Sequence, residues 1–209
     1  MNLQALPEEA LKEILALTEA KKKLDTREKA QSYFMPFAHH VYENFIEGKH
    51  HRIIAEKLEK VAKGEIKRLI INMPPRHSKS EFASYLMPAW FLGKNPKLKI
   101  IQATHNTELA VRFGRKVRDL IDDPQYKDIF PATSLKEDNK SAGKWQTDKG
   151  GEYFAAGVGA AVTGRGADLF VIDDPHSEQD ALSETAYDHA YEWYTSGPRQ
   201  RLQPGGAII

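Results

Sequence analysis

The sequence contains no cysteine. That excludes a disulfide scaffold, a Cys-ligated zinc site and a thiol nucleophile, and it is consistent with a reducing compartment. Long apolar runs are missing too. Those present are short and broken by charge, far below the ~18 residues that a membrane-spanning helix needs. The first residues, MNLQALPEEALKEILALTEAKKK, are acidic before they are basic and do not read as a signal peptide. Neither sign of charge dominates: 30 Lys and Arg face 29 Asp and Glu, for a formal net charge of +1. A histone-like DNA binder, whose affinity rests on a large positive excess, is thereby excluded. There is no internal repeat and no low-complexity tract. What remains is a chain of 209 residues, 41% hydrophobic. Such a chain buries about 70% of its unfolded surface and folds as one large domain or two small ones.

Residues 7–24 have the spacing of an amphipathic helix, with Leu11, Ile14, Leu15 and Leu17 clustered and Pro7 in the first turn. The Lys21-Lys22-Lys23 run suits its C-terminal end. An aromatic-rich stretch over 28–47 follows, then a second helical pattern over 51–63, stopped by Gly64. Residues 68–73 have the length of a buried strand. Residues 79–92 read as a helix that Pro88 kinks or ends. Leu98 to Ala103 is a second short apolar strand. Thr107 is placed to cap a helix running to Asp122, which Pro124 closes. The polar stretch 131–151 reads as a long loop or loose hairpin, 152–158 as a strand, and 169–172 as a buried strand ending in Asp173-Asp174. A helix over 183–196 precedes a final strand beginning near Gly205, cut off mid-run. Strands alternate with helices and several are apolar throughout, which points to an α/β fold with a mainly parallel sheet covered by helices on both faces.

Two segments carry chemistry. The first is strand, tight loop, Lys79-Ser80, helix. A phosphate-binding loop curls backbone N–H groups around an anion at a helix N-terminus, sends a Lys to the phosphates and a hydroxyl to Mg²⁺. Lys79 and Ser80 fit the last two roles. In the GxxxxGK[ST] pattern, however, both glycine positions are filled otherwise, by Met73 and Ser78. Ser78 stands in for glycine on condition that its φ stays negative. Pro74 and Pro75 stiffen the loop, and Arg76 adds a second cation. The plainer reading of the same residues is an ordinary strand-to-helix turn with a serine cap.

The second segment is Leu169-Phe170-Val171-Ile172-Asp173-Asp174, roughly 95 residues after Lys79. In an open α/β sheet, ligands sit at the carboxyl edge of the strands. Asp173 is there placed to hold Mg²⁺ and Asp174 to polarise an attacking water. An Asp-Asp-Pro turn facing solvent is the alternative.

These residues carry a family resemblance. Met73-Pro74-Pro75-Arg76-His77-Ser78-Lys79-Ser80, the Thr163-Gly164-Arg165-Gly166-Ala167-Asp168 stretch and Ile172-Asp173-Asp174-Pro175-His176 resemble the ATPase domain of the large terminase subunit of tailed bacteriophages. Glu192-Trp193-Tyr194 and Arg201-Leu202-Gln203-Pro204-Gly205 resemble it as well, so that the likeness covers about residues 30–209. The resemblance implies a three-layer P-loop NTPase of the RecA-like, additional-catalytic-acid type. It implies a motor that hydrolyses ATP with Mg²⁺ to move double-stranded viral DNA into a procapsid. The implied partners are that DNA, the capsid portal protein and the small terminase subunit. The implied place is the host cytoplasm at the procapsid portal vertex.

On that resemblance Arg76, His77, Ser78, Lys79 and Ser80 bind nucleotide, Ser80 and Asp173 hold the metal, and Asp174 is catalytic together with Arg76. Many relatives carry Glu where Asp174 stands, which leaves the water-activating role between Asp174 and Glu178. Arg165 is the candidate finger that completes a neighbouring subunit's site in a ring, a contribution worth ~10³–10⁵ in rate. A surface Arg in a glycine-rich turn is its plainer reading. Phe34, His51 and Arg52 are the candidates for the adenine pocket. A metal cluster at His39-His40 and His50-His51 is disfavoured, since no carboxylate stands at ligand spacing.

The expected organisation is an N-terminal helix over 1–27, peripheral to an ATPase domain over 28–209. The family's nuclease domain and its coupling motif are absent from the chain, so no nuclease activity is expected of it. The isolated domain is expected to be monomeric, forming a ring only on the portal. Two other functions fit less well: a helicase-like nucleic-acid-dependent ATPase, and a non-hydrolysing assembly scaffold.

Overall fold

The structure, a computed structural model, describes residues 7–209. The first six residues of the 1–27 segment lie outside them. Among the described residues a six-stranded sheet is flanked by helices. Helix α1 spans Glu8–Ser32, α2 Phe34–Val41, α3 Lys49–Ala62 and α4 Met87–Lys94. Strand β1 spans Lys99–Thr104, followed by α5 Thr107–Asp122 and α6 Pro124–Ile129. Then come β2 Leu135–Ser141, β3 Lys144–Thr147, β4 Glu152–Gly157, β5 Ala167–Ile172, α7 Glu184–Ser196 and β6 Leu202–Ile208. The strand order is β2-β3-β4-β1-β5-β6. β4, β1, β5 and β6 run parallel, while β3 is antiparallel to both β2 and β4. The sheet is thus mostly parallel, in a Rossmann-like layout.

The alternation of side chains along the strands divides the core in two. Ile100, Leu169, Val171, Tyr153 and Trp145 face α2 to α6, where Phe34, Phe82, Trp90 and Tyr126 are fully packed. Ile101, Phe170 and Ile208 face the other way, onto Trp193 of α7. Gly114 permits close approach of α5 to the β2–β3 hairpin: a Cβ there would sit 2.6 Å from the Ala142 carbonyl. The hairpin is the second of the two forms, loop or loose hairpin, that the sequence left open for 131–151. Its outer strand, Leu-Lys-Glu-Asp-Asn-Lys-Ser, is a charged edge, which blocks pairing with another chain.

Four expectations are corrected. Helix α1 does not end near residue 24: it runs on to Ser32, and its last turn is anchored through buried Ala30, whose carbonyl accepts from the Trp90 indole at 2.9 Å. Residues 68–73 form one parallel bridge, Arg68 to Ile208, rather than a strand. Ile70 is 84% exposed there, and Pro74 and Pro75 have no N–H to give to a ladder. Asn106, not Thr107, caps α5, its side chain accepting from Leu109 N at 2.8 Å. Pro124 does not merely close α5; it opens α6, capped by Asp123.

The helix after the loop continues past Pro88 to Lys94. It does so through a π-helical stretch, Glu81–Leu86, in which the Met87 N–H reaches the Phe82 carbonyl. Pro88 has no N–H, and its ring would collide with the carbonyl of Ser84 in a regular helix. The wider π turn relieves that collision, and such turns recur at functional sites.

Candidate functional site

The loop 74–80 joins the end of the 68–73 run to a helix. Arg76 and Ser78 have φ of +63° and +61°. The condition placed on Ser78 therefore fails: the position keeps the left-handed backbone of the glycine it replaces, without the glycine. Asp174 has φ +44°. Three of the four non-glycine residues with positive φ among the described ones thus belong to this one place. Such backbone costs energy, and it persists where surrounding structure holds it. Within the loop, the Pro75 carbonyl lies 2.9 Å from His77 Nδ1, and the Ser78 carbonyl accepts from Phe82 N at 3.0 Å.

Asp173 and Asp174 stand at the carboxyl end of β5. Asp173 is buried, 6% exposed. Its backbone N–H extends the sheet by donating to the Ala103 carbonyl at 2.9 Å. Its Oδ2 accepts from Ser84 Oγ at 2.8 Å, and Ser84 in turn accepts from Gln102 Nε2 at 3.1 Å. The π-helical stretch carries Ser84 and β1 carries Gln102, so three elements fix one carboxylate. Gln102 Oε1 is buried with no partner. Asp174 is exposed, and its carbonyl accepts from His105 N at 3.0 Å. Lys79 crosses to both acids. Its Nζ bonds to Asp174 Oδ1 and lies 3.9 Å from Asp173 Oδ1. The two segments singled out in the sequence therefore meet, with Ser80 next to Lys79 at the head of the helix.

Beside them opens a cavity of about 640 Å³. Lys79, Asp173 and Asp174 line one end, and Leu69, Ile71, Ile172 and Ile208 give it apolar walls. Residues 74–78 are not part of this wall; Arg76 and His77 face solvent. The volume is that of a small-molecule site.

Other candidates lie elsewhere. Arg165 precedes β5, at the end of the sheet opposite Asp173, about 20 Å away by the length of a six-residue strand. It bonds to Glu152 and covers the Phe154 ring at 3.9 Å. Phe34 is fully buried against Phe82 and Trp90, with ring centroids 5.4 and 5.5 Å away, and has no free face for a base. His51 is also buried. Its Nδ1 accepts from the Gly48 N–H at 2.9 Å, its ring stacks on Phe82, and its Nε2 has no partner. Burial, and then the neighbouring His50, hold its pKa below the ordinary histidine value. Arg52 is exposed and pairs with Glu47. Glu178 is exposed, while its neighbour Asp180 is tied to Ser177, whose N–H and hydroxyl hold its pKa down. Among the described residues, no group of three or more His, Asp or Glu is placed to hold a metal ion, and no helix is long and apolar enough to cross a membrane.

Sequence reasoning missed Ser84 and Gln102. Gln102 carried a signal: a polar residue in the middle of the apolar run Ile100 to Ala103. Ser84 carried none, because only the widened turn before Pro88 aims it at Asp173.

No protein-family model matches the chain, and no curated protein sequence matches it.

Proposed function

We propose that this chain is a P-loop ATPase and, on the terminase resemblance, the motor domain that drives double-stranded DNA into a viral procapsid. One observation carries the ATPase reading: Lys79 meets Asp173 and Asp174 at the carboxyl edge of β5, at the head of a helix reached through a left-handed turn. A helix N-terminus with unpaired N–H groups favours an anion, and a phosphate competes with Asp174 for the Lys79 ammonium.

The donor set fits Mg²⁺. Two carboxylates and a hydroxyl are hard oxygen ligands, and this ion takes one or two carboxylates together with waters and substrate phosphates. Ser80 and Asp173 are the residues that would hold it, where it supplies positive charge to the phosphates. Ser84 pins Oδ2 of Asp173 and leaves Oδ1 turned toward Lys79. Asp174, once released from Lys79, is the exposed carboxylate that orients a water. Arg165 faces away from its own chain's site, which suits service to a neighbour in a ring after release from Glu152. The portal, the small terminase subunit, the DNA and the place at the portal vertex rest on the resemblance alone. The near-neutral net charge makes any DNA grip a local patch.

A second reading, a nucleotide-binding scaffold without turnover, is favoured by the serine at position 78 and by the closed Lys79–Asp174 pair. Turnover of Mg·ATP per chain, measured against protein concentration for wild type and Lys79→Ala, separates the two. A Lys79-dependent rate that rises with concentration supports the ATPase and an arginine supplied in trans. A Lys79-dependent rate that is flat keeps the ATPase and removes Arg165 from catalysis. Binding without turnover favours the scaffold, and neither binding nor turnover refutes the site.

A further inference from the structure

The cavity beside Lys79 is lined by further cations that the motifs did not point to. Arg68 and Arg199 line it together with Lys79, Asp173 and Asp174. Lys79 alone against two aspartates leaves the wall negative, a poor receptor for a polyphosphate; the two arginines reverse the sign. Arg68 is committed, its Nη1 donating to the Lys67 carbonyl at 2.7 Å. Arg199 is exposed, and among the described residues its side chain has no ion pair or hydrogen bond. Its backbone is nonetheless fixed. It sits in the one-turn helix Pro198–Arg201, where Pro198 is buried and Gln200 N donates to the Gly197 carbonyl at 3.0 Å. Two other arginines, Arg165 and Arg76, are placed differently. Arg165 is at the far end of the sheet, held by Glu152 and Phe154, and Arg76 lies outside the cavity wall.

We infer that Arg199 contacts the terminal phosphate of a nucleotide bound at this chain's own Lys79, an assignment that rests on the ATPase reading. A guanidinium is a planar fork of donors that matches two phosphate oxygens at once and keeps its charge at all working pH values. From its fixed turn in the cavity lining, Arg199 supplies in cis the positive charge that Arg165 cannot supply to its own chain.

The test is calorimetric titration of the 209-residue chain with a non-hydrolysable Mg·ATP analogue and with Mg·ADP. Wild type, Arg199→Ala, Arg199→Lys and Lys79→Ala are compared. Arg199→Ala is expected to weaken the triphosphate ~10–100-fold, the range for a hydrogen bond to a charged group, and the diphosphate by much less. Arg199→Lys recovers part of the loss. Because Arg199 is exposed, the melting temperature without ligand stays at the wild-type value. Arg199→Ala binding both nucleotides within twofold of wild type, while Lys79→Ala loses them, overturns the assignment and leaves the ATPase reading intact. An equal loss for both nucleotides also overturns it, since the contact would then lie away from the terminal phosphate. A wild-type chain that binds neither nucleotide refutes the ATPase reading, and the assignment falls with it.

Discussion

Replacing Ser78 by glycine is expected to stabilise this protein, although glycine substitutions usually do the opposite. Ser78 has φ +61°, and its carbonyl is engaged by Phe82 N at 3.0 Å, so the conformation is fixed by the helix start that follows. An L-residue in the left-handed region costs about 1–2 kcal/mol. Glycine removes that cost but adds about 0.5–1 kcal/mol of backbone entropy lost on folding. The net gain lies between about 0 and 1.5 kcal/mol, or a rise of up to about 6 °C in melting temperature for a chain of this length. Ser78→Val pushes the other way, because a β-branched residue at positive φ is a genuine outlier, and it is expected to cost about 1–2 kcal/mol. Urea unfolding of the three proteins, read at unchanged slope, gives the differences. A Ser78→Gly protein less stable than wild type, or a Ser78→Val protein equal to it, would refute the left-handed loop and the glycine-like role of this position.

Ser84→Ala removes the hydroxyl between Asp173 and Gln102 and leaves a buried acid and amide short of a partner. Chemical denaturation is expected to register a loss of about 1–3 kcal/mol. Phe34→Ala empties a fully buried position against Phe82 and Trp90, with an expected cost of about 3–5 kcal/mol by the same assay; a cost under about 1 kcal/mol would mean that Phe34 is not a core residue. His51 has its pKa lowered in the folded state, so its contribution to stability is complete above the unfolded value near 6.5 and declines as pH falls below it toward the folded value. Unfolding free energy is therefore expected to drop as pH falls below about 6.5, by at most ~1.4 kcal/mol per pH unit from this group. Comparison with His51→Gln, whose drop should be shallower, checks the source, and an equal slope in the two proteins would assign the effect elsewhere.

The parts of the fold legible in sequence were those written in local pattern. Leu169 to Ile172 is apolar at every position because β5 is central and buried on both faces, and the acids that end it mark its carboxyl edge. The helix Thr107–Asp122 was legible to its last residue, while its cap slipped by one because Asn106 and Thr107 are both good capping types. The hairpin of β2 and β3 was legible only as one of two alternatives, since an edge strand made of Lys, Glu, Asp and Asn has a loop's composition. The π turn was not legible: Pro88 signalled a break, but the helix absorbed it by widening rather than ending. Lys79 and Asp173 were singled out because chemistry fixes their types, and the structure brings the two together. Ser84 and Arg199 were missed because they reach the same place from elements whose geometry no motif records. Phe34 was misplaced for the opposite reason, since an aromatic before the loop suits a stacking platform and a core equally well.

The proposal that Lys79 belongs to a nucleotide-binding site rests on its meeting with Asp173 and Asp174. Calorimetric titration with Mg·ADP tests it most directly, because it asks for binding and does not depend on turnover. One nucleotide per wild-type chain is expected, with an affinity reduced ~10–100-fold in Lys79→Ala, the cost of one lost charged contact. Identical binding by the two proteins, or no binding by wild type at concentrations where it is folded, would contradict it.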